Sequence, residues 1–220
     1  MFHWTYPDEQ RAKRRWSEEN PDQPKENNPY YALPEMRMAT FRLDDSLTEQ
    51  AQGEDGGFNI NLFFEAEFDE RGVAKFKAEE AVVDWLRMIS GRKAEARAMG
   101  GDKAIWPYSP SSEDLFGCLR HTVWFLPGVA SCRAMEALLK KDSFFKDYKV
   151  AMVAGKDVGL GEAALPPVRA AIGPNPLDTR SITLTCGKLM TGVTVPEWSG
   201  ILMLRSLSTP ETYFQAAFRV

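Results

Sequence analysis

The sequence predicts an α/β fold built on a parallel sheet. Two observations lead there. Strand-length apolar runs recur at 121–126, 148–154, 182–185 and 200–204, each short and nearly continuous, as expected of strands buried on both faces. Helical stretches stand between them: 129–141 places Met135, Leu138 and Leu139 on one side, and 166–172 carries its prolines in the first turn. A strand–helix–strand alternation of this kind implies parallel strands joined by right-handed crossovers. The expected strands are Val123–Leu126, Val150–Val153, Ile182–Thr185 and Ile201–Leu204.

His121 opens the first strand, Pro127-Gly128 turns the chain into the first helix, and Gly155-Lys156 closes the second strand. Within 181–185, Ile182 and Leu184 alternate with Thr183 and Thr185, a strand buried on one face more than the other. Ser208-Thr209-Pro210-Glu211 opens a further helix. A hydroxyl residue caps it, proline suits its first turn, and glutamate complements the positive end of its dipole. On that helix Gln215 and Arg219 are four residues apart and share a face.

The first half is smaller in its elements and mixed in type. An aromatic patch (Phe2, Trp4, Tyr6) precedes a charged stretch, 8–20, that fits a short exposed helix, and 20–29 reads as a loop. Residues 34–43 alternate and are expected to form a strand with Met36, Met38, Thr40 and Arg42 on one face. The acidic, Gly-rich 44–57 is a loop, and 58–66 is equally compatible with helix or strand. Residues 77–90 are an amphipathic helix whose stripe is Ala81, Val82, Trp85, Leu86 and Ile89. The connection 91–119 is long and polar, a type usually functional or disordered.

Several classes are excluded by composition. At 220 residues, 44% hydrophobic and 26% charged, the chain is of the globular type. Its apolar runs are strand-sized, so no membrane partner is expected, and no signal segment follows Met1; a cytoplasmic location is expected. Cys118, Cys132 and Cys186 are widely spaced and odd in number, forming neither a zinc pattern nor a disulfide framework. They read as reduced, buried thiols, and no metal site is expected. The net charge of −4 is uneven: residues 117–220 carry twelve Lys/Arg against eight Asp/Glu, the remainder fifteen against twenty-three. The mildly basic half is the one a phosphate-tracking surface would occupy.

The last forty residues carry a more specific pattern: T-x-x-x-L-x-T-G-V-x-V-P, an apolar strand, then T-x-x-x-Y-x-Q-x-x-x-R. This block resembles the fifth and sixth motifs of superfamily 2 helicases, in the type III restriction-like branch of DNA helicases and translocases. The resemblance covers 120–220 and implies a RecA-like parallel sheet with flanking helices, preceded by a smaller mixed α+β or irregular region. The implied division is an insert region, 1–115, and a RecA-like helicase C-terminal domain, 116–220. It further implies that Thr191 and Gly192, with Thr185 before them, contact the DNA backbone. Gln215 and Arg219 would face ATP and its Mg on the first RecA-like domain of the parent protein, Arg219 as an arginine finger. The sequence departs from the family pattern at Phe218, where glycine is usual, and a second arginine would fall beyond Val220, so the chain is expected to be a piece cut from a longer protein.

No G-x-x-x-x-G-K-[ST] phosphate loop occurs in the sequence; Gly187-Lys188 lacks the preceding glycine and is followed by leucine. The chain by itself is therefore not expected to hydrolyse ATP. The expected role is the second motor domain of an ATP-dependent DNA helicase or translocase, with a catalytically silent RecA-like module binding nucleic acid or protein as the alternative. A small-molecule α/β enzyme lacks a nucleophile–base pairing, and His121, on a buried strand, reads as a core histidine.

Overall fold

The computed structural model describes residues 5–32, 38–40, 43, 45–54, 56–92, 107–108, 119–156, 158–189 and 193–217. Two compact units emerge, Met1–Arg42 and Leu43–Val220, and the boundary drawn near residue 115 falls inside the second.

In the first unit, helix α1 (Tyr6–Glu19) starts where Thr5 N–H and hydroxyl both donate to the Asp8 carboxylate. Those bonds hold the Asp8 carboxyl below its ordinary range and satisfy groups that a helix start leaves unpaired. The chain then folds back through a 3₁₀ turn, Lys25–Asn27. Buried Asn28 fastens it to α1, its side-chain amide donating to the Lys13 carbonyl at 2.9 Å. The exposed helix expected over 8–20 is present; most of the strand expected over 34–43 lies outside the described residues, and Met38–Thr40 form no regular element.

The second unit begins with two short helices, α2 (Asp45–Thr48) and α3 (Ile60–Phe63). A hairpin follows, strands β1 (Ala66–Phe68) and β2 (Ala74–Phe76) paired antiparallel. Its turn is shaped by the Asp69 carboxylate, which accepts from the N–H groups of Arg71 and Val73. Helix α4 (Glu79–Ile89) buries the expected stripe, Ala81, Val82, Trp85, Leu86 and Ile89.

The α/β alternation then runs β3 (His121–Phe125), α5 (Val129–Lys141), β4 (Lys149–Val153), α6 (Pro166–Ile172), β5 (Ser181–Thr185), β6 (Gly200–Met203), α7 (Pro210–Ala217). The strands form one sheet in the order β4-β5-β3-β6. All three pairings are parallel, with His121 opposite Ser181, Lys149 opposite Ser181 and Thr122 opposite Gly200.

Alternation along the strands divides the core. Trp124, Leu126, Ile182 and Leu184 face one side, with Cys132, Met135 and Leu139 of α5. Val123, Phe125, Ala151 and Val153 face the other, with Val168, Ala171 and Ile172 of α6. The first side also takes up Phe63, Phe64, Phe76, Val82, Trp85 and Leu86, so the hairpin and α4 share a core with the sheet. Helix α6 ends at Gly173, whose φ of 76° is the left-handed conformation that lets a helix stop and turn.

Within the long connection over 91–119, Tyr108 has a structural task that the segment's polarity concealed. Tyr108 is buried against Trp124, Phe145 and Tyr148. The Trp124 indole N–H donates to the Tyr108 hydroxyl at 2.9 Å, and that hydroxyl is 2.7 Å from the Thr122 hydroxyl. Burial pushes the phenol's pKa far up, so it stays neutral.

Arg92 ties the end of α4 to the end of α5. Its guanidinium donates to both Asp142 oxygens, at 2.9 and 2.7 Å, and to the Ser143 hydroxyl at 2.8 Å. Burial alone would raise the Asp142 pKa. The Arg92 bonds and the N–H groups of Phe144 and Phe145 outweigh it and hold the pKa below the ordinary 3.8. A carboxyl lowered by folding stabilises above its unfolded pKa, and that contribution fades as pH falls through the folded value. Asp142→Asn should therefore cost about 1 kcal/mol at neutral pH. Denaturant titrations at several pH values should show the deficit shrinking below pH 3.8; a deficit independent of pH would contradict the ion pair.

Candidate functional site

The sheet order sets where a site can form. From β3 the chain leaves through α5 toward β4; from neighbouring β5 it leaves in the opposite direction, toward β6. The strand order thus reverses between β3 and β5, and in open α/β sheets ligands bind outside the carboxyl ends of strands at such a point. At this edge two hydrogen bonds extend the sheet by a residue: Leu126 N–H to the Thr185 carbonyl and Leu204 N–H to the Phe125 carbonyl, both 2.9 Å.

Three segments meet at this edge. The first is the amino end of α5, capped by Gly128 without a side-chain hydrogen bond, so its first turn points unsatisfied N–H groups and a positive dipole end outward. A side chain at Gly128 would meet nothing within 4 Å; the space before the helix is open. The second segment is 186–189, directly after β5. The third is Arg205, after β6, which donates from its terminal nitrogen to the Cys186 carbonyl at 2.7 Å. Its Nε is buried and has no hydrogen-bond partner among the described residues. Lys188 reaches back to the carbonyl of Val158.

Two cysteines converge there. Cys132, in the first turn of α5, is fully buried, and half-buried Cys186 follows β5. Interaction with the Cys132 thiol holds the Cys186 pKa down at about 6, against burial and with help from Arg205 and Lys188, while interaction with Cys186 and burial push Cys132 up. The spacing of 54 positions hid this pair in the sequence. The legible signal was that each follows a strand, β3 or β5, once the two are known to be parallel neighbours.

The expected site residues fare differently. Thr185 is fully buried, and its hydroxyl accepts from Gly187 N–H at 3.4 Å. Its side chain thus takes part in the turn after β5. Gln215 is exposed on α7. Thr191, Gly192 and Arg219 lie outside the described residues. His121 is a core histidine: it is 2% exposed, with Nδ1 2.8 Å from the Ser181 hydroxyl and Nε2 2.9 Å from the Pro176 carbonyl. A carbonyl only accepts, so Nε2 carries the proton. Among the described residues, no cluster of His, Cys, Asp or Glu is arranged to hold a metal ion, and no helix is long and apolar enough to cross a membrane.

Fold and edge together define an open α/β module whose strand order reverses between β3 and β5. Among proteins of assigned role, the chain is similar to a candidate type II restriction enzyme and methyltransferase C-terminus of Mycoplasma pneumoniae. The two are 27% identical over 231 aligned positions, covering 100% of this chain and 31% of that protein. The chain thus spans about a third of the length of that relative. No family model matches the chain, and no solved structure does.

Proposed function

We propose that the chain is the second motor module of an ATP-dependent DNA helicase or translocase in a restriction-type system. The observation that carries this reading is the parallel β4-β5-β3-β6 sheet, with β5 and β6 opening toward the segments that hold the helicase-like motifs. The similarity to a restriction-type relative supports DNA as the substrate class. In this reading Thr191 and the backbone at Gly192 hold a DNA phosphate, while Thr185 sets the turn from which their loop departs. Such phosphate contacts fix register and carry no sequence information.

Gln215 and Arg219 face ATP and Mg bound mainly by a first RecA-like domain. The chemistry there is phosphoryl transfer to water, achieved by positioning and charge neutralisation. Arg219 supplies positive charge to the γ-phosphate as the cleft closes, and Gln215 orients the finger or the water.

The purified chain tests this directly. It should bind duplex or single-stranded DNA weakly, with affinity falling steeply between ~50 and ~200 mM salt as counterions are released. It should hydrolyse no ATP with or without DNA, because it has no phosphate loop. DNA-stimulated turnover by the chain alone would relocate the nucleotide site, and absence of DNA binding at low salt would remove the DNA reading.

The missing phosphate loop also suits a catalytically silent RecA-like module. That reading predicts that substitution of Arg219 leaves the parent protein's ATP turnover unchanged.

A further inference from the structure

We propose that Arg205 is a positioning residue for DNA: with Lys188 it clamps segment 186–189 from two sides, fixing the backbone that leads to Thr191 and Gly192. The role in DNA binding rests on the function proposed above; the clamp itself does not.

Segment 186–189 leaves the sheet directly after β5 and has no regular secondary structure, so no helix or ladder bonds hold its backbone in place. Neighbouring side chains do so instead. The Arg205 guanidinium donates to the Cys186 carbonyl at 2.7 Å. Arg205 follows Leu204, whose N–H is bonded to the Phe125 carbonyl at 2.9 Å, so the donor starts from backbone that still belongs to the sheet. Its Nε is buried, which keeps the root of the guanidinium inside the protein. From the other side the Lys188 ammonium donates to the carbonyl of Val158, in the connection between β4 and α6. Between these ties, Gly187 N–H donates to the Thr185 hydroxyl at 3.4 Å. Leu189 has no exposed surface and lies in the core on the α6 side with Val193 and Val195.

Both cations are thus directed at neutral carbonyls, and a charged donor makes the stronger kind of hydrogen bond. Their effect is to aim a stretch of backbone. Hydroxyl and N–H contacts to a phosphate depend on that aim, since they are lost once the heavy atoms separate beyond about 3.5 Å. A side chain that itself neutralises a phosphate is distinguishable from one that aims other groups. Removing the first lowers the slope of log affinity against log salt by about 0.9, because one counterion fewer is released. Removing the second weakens binding and leaves the slope as it was.

The test has two arms, both on the full chain. The first is hydrogen–deuterium exchange without DNA. In Arg205→Ala the amides of 187–189 should exchange roughly tenfold faster than in the unmodified chain, with 181–185 unchanged. Lys188→Ala, at a half-buried side chain, should act in the same direction and guards against a folding defect in Arg205→Ala. Unchanged exchange in folded variants would overturn the clamp. The second arm is fluorescence anisotropy with a labelled DNA duplex between ~50 and ~200 mM salt. Both variants should bind roughly three- to tenfold more weakly, with the salt slope of the unmodified chain. A slope lowered by about 0.9 in Arg205→Ala would make Arg205 a phosphate ligand and overturn the positioning role. Accelerated exchange with undiminished DNA affinity would overturn it too, while leaving the DNA reading intact. An unmodified chain that binds no DNA at the lowest salt would end the DNA reading and Arg205's part in it together.

Discussion

Replacing Trp124 by alanine should lower stability by about 3–5 kcal/mol. Trp124 has no exposed surface and lies in the central region of the sheet, on β3 between β5 and β6. Its ring meets Trp85 at 5.7 Å and Phe145 at 5.8 Å, both edge-on, and Tyr108 at 6.0 Å. Truncation removes those contacts and leaves a cavity where the α4, α5 and β3 contributions meet. It also takes a donor from the Tyr108 hydroxyl. In a unit of this size each kcal/mol moves Tm by roughly 2–4 °C, so a fall of about 6–20 °C is expected in a calorimetric scan. Trp124→Phe should retain most of the packing and lose less. A shift within error for Trp124→Ala would mean that the α4 region and the sheet do not share a core.

The second large effect concerns Arg219 in the ATP-hydrolysing parent protein. On the proposed function, Arg219→Ala reduces turnover by ~10³–10⁵-fold, the usual worth of an arginine finger, with DNA affinity nearly unchanged. The guanidinium would reach phosphate oxygens only as the cleft closes, so its removal costs the transition state and spares binding. Thr191→Ala should do the reverse. Loss of one hydrogen bond to a charged phosphate is worth ~1.5–3 kcal/mol, or roughly ten- to a hundredfold in DNA affinity. Turnover and DNA affinity measured on folded variants separate these outcomes. Normal turnover in folded Arg219→Ala would end the finger assignment.

The sheet was legible because its strands are apolar enough to be buried and long enough to recur between helices. Helices α5 and α6 begin and end where periodicity and proline placed them. The stripe of α4 and the core role of His121 were equally readable, since both follow from residue type at a buried position. The hairpin was not. Strands of three residues, Ala66–Phe68 and Ala74–Phe76, are too short for alternation to show. Tyr108 was hidden in a polar connection, because one core residue does not change a segment's average character. Thr183 and Thr185 share a strand face by alternation, yet whether a hydroxyl faces a ligand or its own turn depends on the chain after it. The cysteine pair lay deeper still, since it requires the order of the strands and not only their existence.

That order also bears on how the molecule comes to be assembled. The first two strands of the large sheet to be synthesised, β3 and β4, never pair with each other: β5 lies between them. His121 finds its neighbour Ser181 sixty positions downstream. Until 181–185 has been made, both earlier strands have unfilled backbone edges, and no local contact can close them. Distant pairing of this kind makes acquisition of the native state slow, and open strand edges invite association between chains in the interval. Ser181–Thr185 is thus the keystone segment. Weakening it should prolong the interval in which newly made chains aggregate, out of proportion to its effect on the finished molecule.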